Sequence, residues 1–334
     1  MLKQRTLILS IAGVVLVGGA LYAVNRPGRR AATASQKVLT VYAAGPKPLS
    51  DQIVKGFEKK TGVKVKTFDG TTGKILSKLK AENKNPQADV LILASMAAGV
   101  DLQNNGQLLT YDAKHLDQLN PQFRDDRHQL FNYSASAVGI TYNKKQIKTV
   151  PTDWDDLKAS DYHNGVTIPD PKTSGSSLDF INVYQMKHGQ SLLKALKQNG
   201  AEIGGANKEV LDAVVTGQKK AIFGGVDYMS IAAIKKGEAL GFVYPKSGTL
   251  VNPRPAMILK ASQHQAAAKQ FIDYLLSSPV QHQVQQKYLI PGTAQTLTNP
   301  LTHQPIKSYS VNWKAANAAL QKNISTFNRV LGND

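Results

Sequence analysis

Two short loops that combine glycine with hydroxyl side chains are the part of this sequence best suited to chemistry. Each loop follows a strand-like run and precedes a helix-like run. Free backbone N–H groups, hydroxyls and the positive end of a helix dipole meet at such a junction, which favours binding of an anion. The loops lie far apart in the chain, so the sequence predicts an anion held between two separate parts of the protein. The predicted contacts are Thr71, Thr72, Ser174, Gly175 and Ser176.

Three further positions complete the predicted binding site. The backbone of Ala44 and Gly45 and the side chain of Ser95 follow strand-like runs and are expected to flank the anion. Asp227 and Tyr228 follow a glycine pair and could offer an acceptor and a donor to a hydroxyl or amine of the ligand. Serine, threonine and aspartate are also common helix N-caps, so a purely structural role for these side chains stays open.

The motifs of several enzyme classes are missing. The first loop resembles a phosphate-binding loop, but Phe68 stands where the G-x-x-x-x-G-K spacing needs glycine. The seven histidines form no H-x-x-x-H or H-E-x-x-H pattern, and G-x-S-x-G does not occur. The absence of cysteine excludes disulfides, thiol catalysis, thiolate metal sites and a lipid-modified cysteine. We therefore predict a binding protein without catalytic residues, cofactor or resident metal.

The first block of the chain predicts export. Residues 7–24 carry no charge and are flanked by lysine and arginine on both sides. They could form an uncleaved membrane anchor or, since Ala32-Thr33-Ala34 resembles a cleavage site, a secretory signal. We assign residues 1–36 to this segment and its linker and expect the remainder to lie outside the cytoplasm. The net charge is +18, but the lysines are scattered without interleaved aromatics, so we expect no nucleic-acid partner.

The remaining chain alternates strand-like and helix-like runs, which predicts an α/β fold with parallel sheets. We expect one lobe from residues 37–135 and 250–334, a second from residues 136–249, and crossings near 132–142 and 244–255. In such sheets ligands bind beyond the carboxyl ends of the strands, where both glycine-hydroxyl loops fall.

Several runs resemble a known family. The stretches that carry the resemblance are L-T-V-Y-A-A from Leu39, F-E-K-K-T-G-V-K-V from Phe57, A-D-V from Ala88, V-P-T-D-W-D-D-L-K from Val150, I-P-D-P from Ile168 and residues 266–281. They are similar to bacterial extracellular solute-binding proteins, the capture subunits of ABC importers. The resemblance implies a type II periplasmic-binding fold with a ligand cleft between two lobes, a membrane permease as partner, and a monomer.

The branch that the chain resembles contains binders of ferric iron, 2-aminoethylphosphonate and hexose phosphates. Iron binders of this branch use a tyrosine pair after the glycine-rich strand, but here Tyr228 is followed by Met229. The leading prediction is therefore a small organophosphate or phosphonate. Ferric iron held with help from Asp227 and Tyr228, or a ligand-sensing role beside a membrane histidine kinase, are the alternatives.

Overall fold

A computed structural model describes residues 38–83, 85–300 and 302–332 of the chain. The predicted N-terminal anchor or signal, residues 1–36, lies outside these described residues. Within them, no helix combines the length and the apolar character that crossing a membrane requires.

The described strands form one mixed sheet. Their order is β2-β1-β3-β9-β4-β7-β5-β6, with β8 and β10 also paired to β4. The strands are β1 (Val38–Ala43), β2 (Lys64–Asp69), β3 (Val90–Ile92), β4 (Phe131–Asn143), β5 (Val166–Ile168), β6 (Glu202–Ile203), β7 (Ala221–Val226), β8 (Leu240–Val243), β9 (Val251–Ile258) and β10 (Ile290–Pro291). The pairs β1–β2, β1–β3, β5–β6 and β5–β7 are parallel, as the sequence predicts, whereas β4 and β9 run antiparallel to their neighbours.

Helices follow most of the parallel strands. They are α1 (Lys47–Thr61), α2 (Thr72–Glu82), α3 (Met96–Asn104), α4 (Gly175–His188), α5 (Ser191–Gln198), α6 (Asn207–Val215), α7 (Asp227–Lys235), α8 (Gln265–Leu275), α9 (Ser278–Gln286) and α10 (Trp313–Leu331). The amphipathic helix expected at 265–277 is α8. The helix expected at 309–331 begins later, at Trp313, where Asn312 accepts a hydrogen bond from the Ala315 N–H as N-cap.

β4 divides the sheet into two sides. Its first part, residues 131–137, pairs with β9, and its second part, residues 138–143, pairs with β7 and β8. We call the part built from β1, β2, β3 and β9 with α1–α3, α8 and α9 the β1 side, and the part built from β5–β8 with α4–α7 the β7 side. Each side has its own hydrophobic clusters, and both strands of the β4–β9 pair are buried along their whole length.

The predicted lobe boundaries stay a prediction. The boundaries near 135 and 250 fall within β4 and just before β9, the strands that join the two sides. Helix α10 was expected with the first lobe. Its Ala316, Phe327 and Leu331 nevertheless pack in the hydrophobic cluster of the β7 side, and the Asn182 amide donates to the Ala316 carbonyl at 2.8 Å. Trp313 and Asn317 of the same helix contact the β1 side, so α10 packs against both sides.

Candidate functional site

The first glycine-hydroxyl loop forms the N-terminus of α2. Thr71 is its N-cap and accepts a hydrogen bond from the Lys74 N–H at 3.3 Å. Thr72 is buried, and its hydroxyl accepts a hydrogen bond from the Ala94 N–H at 3.0 Å. The purely structural role that stayed open for this loop, that of a helix N-cap, is therefore filled by Thr71.

The second glycine-hydroxyl loop forms the N-terminus of α4. Ser174 is the N-cap and accepts from the Ser177 N–H at 3.1 Å. The buried hydroxyls of Ser174 and Ser176 lie 3.2 Å apart, and both contact the Asn207 amide at the start of α6. This hydroxyl cluster is held within the β7 side.

The two loops contact each other directly. The Gly73 N–H donates to the Thr173 carbonyl at 3.3 Å. A Cβ atom at Gly73 would lie 2.1 Å from the Lys172 carbonyl oxygen, and one at Gly175 would lie 2.4 Å from the Thr72 hydroxyl. Only glycine permits so close an approach of the two backbones. Loops distant in sequence thus meet across the two sides. Their predicted ligand contacts remain a prediction.

Ser95 lies at the same junction, with a partner that the sequence analysis missed. Its hydroxyl caps α3 by accepting from the Ala98 N–H and donates to the Asp179 carboxylate at 2.7 Å. Asp179, on α4, also accepts from the Met96 N–H at 2.6 Å. Its side chain is fully buried, and this burial raises its pKa to about 7 despite the hydrogen bonds from Ser95, Met96 and Ala97.

Arg254 is a second residue that sequence reasoning missed. It lies in β9 with an exposure of 2%, and its guanidinium donates to the Ala44 carbonyl oxygen. A Cβ atom at Gly45 would lie 3.3 Å from Nη2 of Arg254. The guanidinium carbon also lies 5.7 Å from the centroid of the Tyr228 ring. Arg254 thereby brings together two predicted positions, Ala44–Gly45 and Tyr228.

A signal for Arg254 was present in the sequence. It stands between Pro253 and Pro255, and those prolines argue against a central strand because they cannot donate to a ladder. The structure nevertheless includes both prolines in β9, opposite Ala135 and Asn132 of β4. The sequence signal for Arg254 is a charged residue within a mostly apolar run.

Asp227 begins α7 and is fully buried. Its carboxylate accepts from the Ala137 N–H at 3.0 Å, the Tyr244 hydroxyl at 2.9 Å and the Tyr228 N–H at 2.7 Å. Burial raises its pKa to about 7, although the positive charge of Arg254 acts in the opposite direction. Burial also raises the pKa of Tyr228 and of Tyr244, so both phenols stay protonated at neutral pH.

Polar atoms without a hydrogen-bond partner line the strand pair that carries Arg254. They are the hydroxyls of Ser134 and Ser136, Oδ1 of Asn252 and Nε of Arg254. Ser134 faces Arg254 and Ser136 faces Asn252 in the β4–β9 register. Opposite residues of an antiparallel pair point to one face of the sheet, so these groups share a face. Buried polar groups are normally satisfied, so this face has unused capacity for hydrogen bonds.

No metal centre accompanies these residues. Among residues 38–83, 85–300 and 302–332, no group of three or more His, Asp or Glu side chains is placed to hold an ion. The chemistry available at the junction is instead a guanidinium, hydroxyls, amides and two carboxyl groups.

Comparison with known proteins decides the class of this chain. The sequence pattern of the family described as "Bacterial extracellular solute-binding protein" matches residues 85–317, well over half of the chain. The chain belongs to this family. The resemblance expected from its sequence is thereby confirmed, and the family consists of solute-binding transport proteins rather than enzymes.

Two curated relatives of this solute-binding protein are named as periplasmic proteins. An "Fe(3+)-binding periplasmic protein" of Serratia marcescens is 26% identical over 74% of this chain and 76% of its own length. A "Putative 2-aminoethylphosphonate-binding periplasmic protein" of Salmonella typhimurium is 23% identical over 82% of this chain and 85% of its own length. The solute-binding protein is accordingly extracytoplasmic, and proteins of this class pass small ligands to membrane permeases.

A solved structure shows the same fold. The periplasmic binding protein AfuA of Actinobacillus pleuropneumoniae, with fructose-6-phosphate bound, superposes with a TM-score of 0.78 at 22% identity, covering 90% of this chain and all of that one. The mixed α/β fold of this solute-binding protein is therefore that of periplasmic binding proteins.

Proposed function

We propose that this solute-binding protein captures a small organophosphate or phosphonate for an ABC importer, in a cleft between two lobes that correspond to the β1 and β7 sides. The observation that carries the proposal is Arg254. Its guanidinium is buried, and none of the carboxylates in the described part of the chain lies within ion-pair distance of it. A buried charge without a carboxylate in direct contact is costly, so an anionic ligand would supply a contacting countercharge.

The chemistry around Arg254 suits a phosphoryl or phosphonyl group. A guanidinium binds such oxygens through two parallel N–H bonds. The Gly45 backbone lies beside it, and the unpaired hydroxyls of Ser134 and Ser136 lie on the same strand pair. Asp227 and Tyr228 adjoin the guanidinium and would contact a ligand hydroxyl or amine.

The relatives support the same ligand class. The Salmonella relative is named for an aminophosphonate, and the structural neighbour AfuA was solved with a sugar phosphate. Both ligands combine an anionic phosphorus group with an amine or hydroxyls. The glycine-hydroxyl loops with Thr71, Thr72, Ser174 and Ser176 stay proposed as contacts that approach the ligand when the cleft changes shape.

Calorimetry tests this proposal. Protein freed of co-purified ligand is titrated with glucose 6-phosphate, 2-aminoethylphosphonate and inorganic phosphate, and saturable binding of one of them is expected. Arg254→Met should weaken that binding by at least about thirtyfold, because truncating a buried charge partner costs 2 kcal/mol or more. Arg254→Lys keeps the charge but not the planar guanidinium, so the affinity of this variant should lie between that of the unaltered protein and that of Arg254→Met.

Arg124→Met is the matched control. The Arg124 guanidinium also donates to backbone carbonyls, those of Leu119 and Asp117, but within the β1 side and away from Arg254. The control should bind like the unaltered protein. The ligand class is wrong if no titrant gives heat or a thermal shift, and the role of Arg254 is wrong if both methionine variants bind equally well.

Iron capture is the competing function, because the Serratia relative is named for Fe(3+). Addition of ferric iron to a tyrosinate site gives a visible charge-transfer band. We expect a colourless sample, since the Asp227 oxygens already accept three hydrogen bonds and the Tyr228 phenol stays protonated. A coloured complex that disappears in Tyr228→Phe would favour iron.

We infer that residues 1–36 keep the protein at the outer face of the membrane or are removed on secretion. Fractionation of the source cells followed by mass spectrometry of the mature N-terminus distinguishes the two outcomes. Permease and ATPase genes beside this gene would favour import, whereas a histidine kinase gene without them would favour a sensing role.

A further inference from the structure

The contact between the two glycine-hydroxyl loops is one part of a larger buried junction. Its β1-side members are Thr72, Gly73 and Ser95, and its β7-side members are Thr173, Gly175 and Asp179. We call this set the cross-side contact. Ser95 and Asp179 are fully buried within it, and Thr72 is 2% exposed.

Asp179 makes several hydrogen bonds of the cross-side contact. Its carboxylate, on α4, accepts from the Ser95 hydroxyl and from the Met96 N–H at the N-terminus of α3. A negative charge at this end of a helix also interacts favourably with the helix dipole. None of the basic side chains in the described ranges forms an ion pair with Asp179, so its partners are the donors at the start of α3 and the side chain of Asn252 in β9.

Helix α10 holds both helices of this junction. The Asn317 amide donates to the Ala97 carbonyl of α3 at 3.2 Å, and the Asn182 amide of α4 donates to the Ala316 carbonyl at 2.8 Å. Hydrogen bonds between protein groups of α10, α3 and α4 therefore stabilise the cross-side contact.

We propose that the cross-side contact, anchored by Asp179, keeps this solute-binding protein largely closed before any ligand binds. Asp179 is thus a positioning residue, which acts on affinity through the equilibrium between closed and open molecules. When only a fraction of molecules is competent to bind, the apparent dissociation constant rises by the inverse of that fraction. The proposal concerns closure and rests on no particular ligand.

Distance measurement between spin labels tests the proposal. The chain contains no cysteine, so Gln52→Cys on α1 and Lys194→Cys on α5 place one label on each side at exposed positions. The protein is unfolded in guanidinium, freed of small molecules, refolded and measured in ligand-free buffer. A single short-distance population is expected without ligand.

Asp179→Ala should move molecules to longer distances. The ratio of closed to open molecules should fall by about tenfold or more, because several buried hydrogen bonds that join the two sides are lost. Ser95→Ala removes one donor and should shift the distribution in the same direction by less. Were Asp179→Ala to fail to fold, the serine variant would still decide the question.

Asp125→Ala is the matched control. The Asp125 carboxylate also accepts from backbone amides, those of Gln129 and Leu130, but within the β1 side. It should lower thermal stability without changing the distance distribution. An already open ligand-free protein, or equal distributions in the Asp179, Ser95 and Asp125 variants, would overturn the proposal.

Discussion

Asp179 and Asp227 are carboxyl groups enclosed by protein, and burial raises the pKa of each from 3.8 to about 7. The folded state therefore holds a proton on each group over a pH range in which the unfolded chain has released it. Their contribution to stability is complete below the unfolded pKa and is lost as the pH rises through the folded pKa. Both groups lie beside residues that are proposed to bind the ligand.

Asp227→Asn should flatten the pH dependence of stability. Between pH 4 and pH 8 the unaltered protein should lose at most about 4 kcal/mol through this group, since a shift of one pKa unit equals 1.36 kcal/mol. The amide cannot titrate, so the variant should lose less of its free energy of unfolding over the same interval. Urea unfolding at several pH values measures the difference.

Asp156 provides a comparison of opposite sign. Backbone N–H groups of Thr152 and Asp153 hold its pKa below its usual value. Its contribution is therefore present at neutral pH and lost as the pH falls through the folded pKa. Asp156→Asn should destabilise the protein at pH 7 more than at pH 3. Equal pH profiles for the Asp227 and Asp156 variants would mean that Asp227 is not buried as described.

At the scale of elements, three helix N-termini meet at the junction of the two sides. Thr71, Ser95 and Ser174 each cap a helix, so the side chains suggested as ligand contacts also stabilise the starts of α2, α3 and α4. The two roles do not exclude each other, because a capped helix still directs unpaired N–H groups beyond its first residue. The glycines beside these caps decide how closely the helices approach.

Gly73→Ala tests that approach. Alanine would favour helix α2 by about 1 kcal/mol if the loop were free. In contact with the Lys172 carbonyl, however, the new methyl group has no room, and we expect a net loss of about 1–3 kcal/mol in the free energy of unfolding. Chemical denaturation measures it.

Gly70→Ala is the control from the same loop. A Cβ atom there would meet the Phe68 ring at 3.4 Å, an ordinary van der Waals distance. This variant should change stability by less than about 1 kcal/mol. If Gly73→Ala proves as stable as Gly70→Ala, the two loops are not in contact in solution.

At the scale of the whole molecule, the two sides share strand β4, which contributes residues to a hydrophobic cluster of each side. Every residue of β4 is buried, because α-helices and neighbouring strands cover both faces of the sheet where it passes from one side to the other. The polar residues Ser134, Ser136, Asn252 and Arg254 lie on the strands that join the two sides. A solute held there would contact both sides at once, as capture by closure requires.

Removal of residues 1–36 should leave this body intact. The hydrophobic clusters, Arg254 and Asp179 all belong to the chain after residue 37. We expect a protein comprising residues 37–334 to match the full chain in melting temperature and in affinity for glucose 6-phosphate or 2-aminoethylphosphonate. Differential scanning calorimetry and titration check this, and a large loss of either would assign the N-terminal segment a part in folding or binding.

The sequence by itself determined the class of protein, the alternation of strands and helices and the helix starts near Thr72 and Gly175. The class follows from the resemblance to a known family, whereas the strands, helices and helix starts depend on local periodicity, capping residues and glycine positions, all of which can be read within a short window. The sequence also indicated Asp227 and Tyr228 as candidate ligand contacts, since a strand that ends in glycines and is followed by an acidic residue is a local pattern.

Only the tertiary structure decided which polar groups face one another. Arg254 lies between two prolines that argue against a strand, and Asp179 lies on the buried face of an otherwise ordinary helix. Their significance comes from partners far away in the chain, Ala44 for the arginine and Ser95 for the aspartate. Burial and the pairing of charges are properties of packed neighbours, and no spacing along the sequence encodes them.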